Sequence, residues 1–233
     1  MRDKVKIPYM MMKSKSYILF LLLLFSQHRG FTQVVEHAFA GDIRKFKTID
    51  SISPPPHNPI LFIGSSSFTI WKDVQLYFPG YSILNRGFGG STFADVIYYI
   101  DDILFPYKPK QVVIYCGEND FASSDSITPG MVNSRFVQLF ELIRKKMPDV
   151  KITYISMKPS PSRWHLKAKF ILSNNYIRKF LKKQPNTSFV DVWHKMLDKK
   201  GQPIDSIFLE DQLHMNPDGY KIWKKAINPH LIK

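Results

Sequence analysis

From residue 60 onward, short apolar runs alternate with stretches of helical periodicity, and this alternation limits the chain to very few architectures. Apolar runs predict strands over 60–63, 81–85, 112–116, 152–157 and 188–192. Between and after them, helices are predicted near 71–77, over 93–104, around 132–147, and over 167–183 and 220–231. Strands that are apolar throughout have no polar face to turn to water, so both faces of their sheet must be covered. Interleaved helices supply that cover, and the expected fold class is α/β, three layers, with a parallel sheet in the middle.

Upstream the pattern differs. Lys13 and Lys15 precede the apolar run 17–25, which is followed by Ser26-Gln27-His28-Arg29. Nine apolar residues are too few for a spanning helix, which needs about 20, and they suit the hydrophobic segment of an export signal. Residues 1–33 are therefore expected to be a signal peptide and the protein exported, periplasmic or extracellular. Cleavage fits either after Gly30-Phe31-Thr32 or at Ala38-Phe39-Ala40. Residues 34–59 are expected to form a helix carrying Val35, Phe39, Ile43 and Phe46 on one face, then an extended lead-in, because Pro54-Pro55-Pro56 and Pro59 cannot continue a helix. The domain proper is expected over 60–233.

The net charge of +14 belongs partly to the leader. Beyond residue 33, 27 Lys and Arg stand against 18 Asp and Glu, a surplus of +9. Such a surplus attracts anionic surfaces but names no partner. Cys116 is the single cysteine, which excludes an intramolecular disulfide and a cysteine-based zinc site; inside an apolar run it reads as a buried, inert thiol.

Ligands of open parallel sheets sit outside the carboxyl ends of the strands, so the loops at 64–67, 86–92, 117–124 and 158–165 should share one edge. Gly64-Ser65-Ser66-Ser67 places hydroxyls where a strand gives way to a helix, suited to a nucleophile or to a plain turn. The glycines of Arg86-Gly87-Phe88-Gly89-Gly90-Ser91 allow close backbone approach to a ligand or simply a tight turn. In Gly117-Glu118-Asn119-Asp120 a side-chain amide at a strand end suits an oxyanion donor or an Asx-turn. Asp211 lies three residues before His214, where it could orient an imidazole or merely cap a turn. Neither a His-Glu-x-x-His motif nor any other paired-histidine spacing is present, so no metal is expected.

Taken in order, these four blocks resemble the SGNH hydrolase superfamily, the GDSL-type esterases and lipases, from about residue 60 to 231. The wording looks like that of an exported bacterial branch, with Ser65 in place of the family's usual aspartate. The resemblance implies a flavodoxin-like five-stranded parallel sheet and a serine ester hydrolase without a cofactor. It assigns Ser66 as nucleophile, His214 as general base and Asp211 as its orienting acid. The oxyanion donors it implies are the Ser66 N–H, the Gly90 N–H (with Gly89 as the alternative register) and Asn119. Substrates would be small acyl or acetyl esters of carbohydrate or lipid, with no nucleic acid partner and no membrane span once the leader is removed. Two other readings use the same residues or fold: acyl transfer to an alcohol, and a silent binding protein for an anionic polymer or membrane. In the loop 158–165, Arg163 and Trp164 are candidates for binding the leaving group, one by charge and one by stacking, unless the prolines merely stiffen a connector.

Overall fold

A computed structural model of the chain describes residues 36–233; the expected signal peptide lies outside the described residues. Five strands form one sheet: β1 (Ile60–Gly64), β2 (Ile83–Gly87), β3 (Gln111–Tyr115), β4 (Lys151–Ile155) and β5 (Thr187–Val190). Their order is β2-β1-β3-β4-β5, every pairing parallel. The helices are α1 (Ala40–Ile52), α2 (Ser66–Ile70), α3 (Val74–Tyr77), α4 (Phe93–Tyr98), α5 (Ile100–Ile103), α6 (Glu118–Ser123), α7 (Pro129–Lys146), α8 (Lys167–Leu181) and α9 (Pro217–Ile227).

Alternation along each strand divides the core in two. Leu61, Ile63, Val112, Ile114, Ile152 and Tyr154 point to one face, which α1, α4, α5, α7 and α8 cover. Ile60, Phe62, Val113, Tyr115 and Ile155 point to the other, under α2, α3 and α9. The expected three layers and parallel sheet are therefore the architecture of the molecule. On the second face the packing is strongly aromatic: Trp71 stacks on Tyr220 at 4.6 Å, and Trp223 meets both Tyr115 and Phe68 edge-on.

Several predicted boundaries move, each for a tertiary reason. The helix expected near 71–77 is present only as α3, with α2 ending just before it, because Trp71 leaves helical geometry to bury its ring among Phe62, Phe78 and Tyr220. The helix expected over 93–104 breaks at Tyr99. Strand β2 runs from Ile83 to Gly87 rather than over 81–85, since the Tyr81 N–H turns back to the Phe78 carbonyl. The last helix opens at Pro217, capped by Asn216, whose side chain accepts from the Asp218 and Gly219 amides.

The first helix runs from Ala40 to Ile52, with Ile43 buried and Phe39 and Phe46 half-buried against the core. It is tied to β2 by Arg86, which pairs with Asp50 and donates to the Tyr107 hydroxyl, itself bonded to Asp50 at 2.6 Å. Cys116 is buried, and burial pushes its thiol well above the ordinary range, which keeps it protonated and unreactive.

Candidate active site

The chain leaves β1 toward β2 and returns across β1 to β3, so the loops after β1 and β3 diverge side by side at a topological switch point. All four sequence blocks converge at this edge. Gly64 ends β1 with φ +132°, and a Cβ there would lie 1.9 Å from the Tyr115 carbonyl oxygen; only glycine allows the two strands so close. The Ser65 N–H then donates to the Tyr115 carbonyl, and the chain turns sharply into α2, whose first residue is Ser66.

The three serines receive three different environments. Ser66 Oγ lies 2.9 Å from His214 Nε2. Ser65 is buried, and its Oγ accepts from Asn119 Nδ2 at 2.6 Å. Ser67 is buried beneath α9, where its carbonyl accepts from the Tyr220 hydroxyl at 2.7 Å.

His214 is held by the turn that contains it. Residues 208 and 215 bridge antiparallel, and the Leu209 N–H donates to the His214 carbonyl at 2.7 Å. Asp211 Oδ1 accepts from the Leu213 and His214 amides, both at 2.9 Å, while Oδ2 lies 2.5 Å from His214 Nδ1. Partial burial acts to raise the Asp211 pKa, but the His214 amide and ring and the Leu213 amide outweigh it and bring the carboxyl down to about 2. Ser66, His214 and Asp211 thus form one hydrogen-bonded chain, with Asp211 ionised.

On the other side of Ser66 lie the glycine and amide blocks. Gly90 has φ +87°, and neither its N–H nor that of Ser66 meets a protein acceptor among the described residues. A Cβ on Gly89 would stand 3.9 Å from Ser66 Cβ, which places this turn against the serine. The Asn119 amide donates to Ser65 Oγ and, at 3.0 Å, to the Ser91 carbonyl. Asp120, wholly buried, takes Arg135 at 2.7 Å and the Phe93 N–H at 3.0 Å, bracing the β3 loop against the start of α4. Burial raises its pKa more than those partners lower it.

The loop after β4 reaches the same edge, but its two predicted residues part ways. Arg163 donates to Asn119 Oδ1 at 2.8 Å and faces Glu118 at 3.4 Å. Trp164 does not line the cleft beside Arg163: its ring stacks on Trp193 at 5.8 Å and carries Lys167 4.8 Å over it. A cleft of about 390 Å³ is lined by Phe121, Asp125, Arg163, His165, Asp211 and Leu213 among others.

Sequence reasoning missed the buried Glu118 and Lys158. Glu118 accepts from the Lys158 amide at 2.9 Å, from Lys158 Nζ at 3.0 Å and from the Tyr115 hydroxyl. Burial acts to raise Glu118, yet Lys158, Arg163 and Tyr115 together hold its pKa below the ordinary value. A lysine at the end of an apolar strand run, and an acid inside Gly117-Glu118-Asn119-Asp120, were the available signals. Among the described residues no cluster of three or more His, Cys, Asp or Glu is gathered for a metal ion.

The chain belongs to the GDSL-like Lipase/Acylhydrolase family, a class of ester hydrolases, whose model matches residues 67–222. That match takes in Asn119, Asp211 and His214 and begins one residue after Ser66. The platelet-activating factor acetylhydrolase IB subunit alpha2 of Rattus norvegicus is 26% identical over 173 residues, covering 69% of this chain and 70% of that protein; the Homo sapiens protein matches to the same extent. Among solved structures, a GDSL-like lipase from Bacteroides thetaiotaomicron is similar at TM-score 0.69 and 20% identity, covering 81% of this chain and 96% of its own. A carbohydrate esterase family 3 protein from Talaromyces cellulolyticus is similar at TM-score 0.57 and 16% identity, covering 74% and 95%. At these identities the structural likenesses speak for the fold.

Proposed function

We propose that the protein is an exported serine esterase that hydrolyses small acyl esters, acetyl esters of a carbohydrate or lipid above all, with Ser66, His214 and Asp211 as its triad. The observation that carries this reading is the contact of Ser66 Oγ with His214 Nε2, made across 148 positions of sequence, while the other ring nitrogen is held by Asp211. His214 takes the Ser66 proton as Oγ attacks the ester carbonyl, and returns it to the leaving alcohol; water, activated by the same imidazole, then releases the acyl group. Asp211 fixes the tautomer that leaves Nε2 free to accept, and stabilises the imidazolium that forms.

The oxyanion donors are the N–H groups of Ser66 and Gly90 and the Asn119 amide. The Asn119 hydrogen now shared with Ser65 Oγ is the one an oxyanion claims, since an ionised acceptor outcompetes a neutral hydroxyl. Preference for small acyl groups follows the acetylhydrolase name of a relative that is similar over 69% of this chain. Export rests on the apolar run at 17–25.

Hydrolysis of p-nitrophenyl acetate, butyrate and octanoate tests the reading. Activity is expected to be highest on acetate and to fall by at least about 10³-fold in Ser66→Ala, with Ser65→Ala keeping most of it. Wild-type turnover in a folded Ser66→Ala enzyme would sink the assignment.

A further inference from the structure

We propose that Arg163 is a positioning residue: its guanidinium fixes the Asn119 side chain so that the amide N–H, and not the carbonyl, faces the developing oxyanion. The inference rests on the reading of Asn119 as an oxyanion donor and extends it to a residue contributed by a different strand loop.

Asparagine is ambiguous by shape, since its oxygen and nitrogen ends differ little in size, and its orientation is decided by its partners. Guanidinium has five donors and no acceptor. With Arg163 Nη2 2.8 Å away, only Oδ1 can face it, and Nδ2 is thereby turned toward the Ser91 carbonyl and Ser65 Oγ at the Ser66 edge. The charge on Arg163 also draws electron density toward Oδ1, which strengthens the amide N–H groups as donors.

Arg163 is itself held on three sides. Glu118 Oε2 lies 3.4 Å from its Nη1, and that carboxylate is in turn locked by the buried Lys158. The Arg163 N–H donates to the Ser160 carbonyl, and the neighbouring Ser162 N–H donates to the Gln212 carbonyl, within the turn that carries Asp211 and His214. Pro159 and Pro161 restrict the backbone between. One stiff loop therefore touches the amide on one side of Ser66 and the base-bearing turn on the other, which a simple connector does not require.

A double-mutant cycle on the full enzyme, read as kcat and KM for p-nitrophenyl acetate, tests this. Arg163→Met is expected to lower kcat by about 10- to 100-fold with KM nearly unchanged, and Asn119→Ala by about 10²–10³-fold. In the Asn119→Ala background, Arg163→Met should cost no more than about twofold further, because the group through which it acts is gone. Thermal melts accompany each variant. If Arg163→Met does not fold, Arg163→Lys, which keeps the charge opposite Glu118 but lacks the planar fork, carries the same cycle. An impaired Asn119→Ala enzyme that loses a further tenfold or more on replacement of Arg163 overturns the proposal alone, as does a variant whose KM rises while kcat holds. Wild-type turnover in Asn119→Ala overturns the oxyanion reading of Asn119 and this proposal with it.

Discussion

Asp211 is about half exposed, yet its carboxyl sits at about 2 because two backbone amides and an imidazole converge on it. A carboxyl whose pKa is lower in the folded than in the unfolded chain, where it is about 3.9, adds stability that is complete above that value and is lost as pH falls toward the folded pKa. The melting temperature of the wild type should therefore exceed that of Asp211→Asn at about pH 5, with the gap closing as pH approaches about 2; a gap that widens on acidification would contradict the assignment. At this scale the sequence was legible where residue type and spacing together narrow the chemistry, as with Asp211 and His214. Residue chemistry alone does not separate Ser65, Ser66 and Ser67, among which only the resemblance to the SGNH superfamily singled out Ser66; their different partners follow from where β1 delivers them. The packing of Trp164 was hidden for a related reason: Trp193, against which its ring stacks, lies 29 positions away.

The turn from β1 into α2 sets the position of Ser66, and Gly64 makes that turn possible. Gly64→Ala places a methyl against the Tyr115 carbonyl at a backbone angle L-residues avoid, so β1 and β3 must separate. A loss of roughly 3 kcal/mol or more is expected by urea denaturation, together with loss of esterase activity. At the other end of the site, Asn216 caps α9, whose Tyr220 anchors the carbonyl of Ser67. Asn216→Ala should cost about 1 kcal/mol in the same measurement. The strands were readable because a parallel sheet buried on both faces leaves an unbroken apolar run. The breaks between the short helices were not: α2 stops at Trp71 and the helix expected over 93–104 divides at Tyr99, because each ring is drawn into the core.

Across the whole molecule, the first helix is fastened to the sheet by a largely buried charge: the Arg86 side chain is only 6% exposed and depends on Asp50 and Tyr107. Asp50→Ala strands that guanidinium, and a loss of about 3 kcal/mol is expected in chemical denaturation, with little dependence on salt because the pair is shielded from solvent ions. Nothing in residues 40–52 read alone announces this link, since Asp50 and Arg86 are 36 positions apart. The layer architecture, the edge on which the loops gather and the residue types available there are legible along the chain alone, because hydrophobic periodicity and turn chemistry are local properties. Which groups actually meet follows from the folded arrangement, which sets Ser66 Oγ against His214, turns Arg163 to Asn119 and buries Lys158 against Glu118. Those choices are made by contacts between loops 40 to about 150 positions apart, whose directions depend on how the strands are ordered in the sheet.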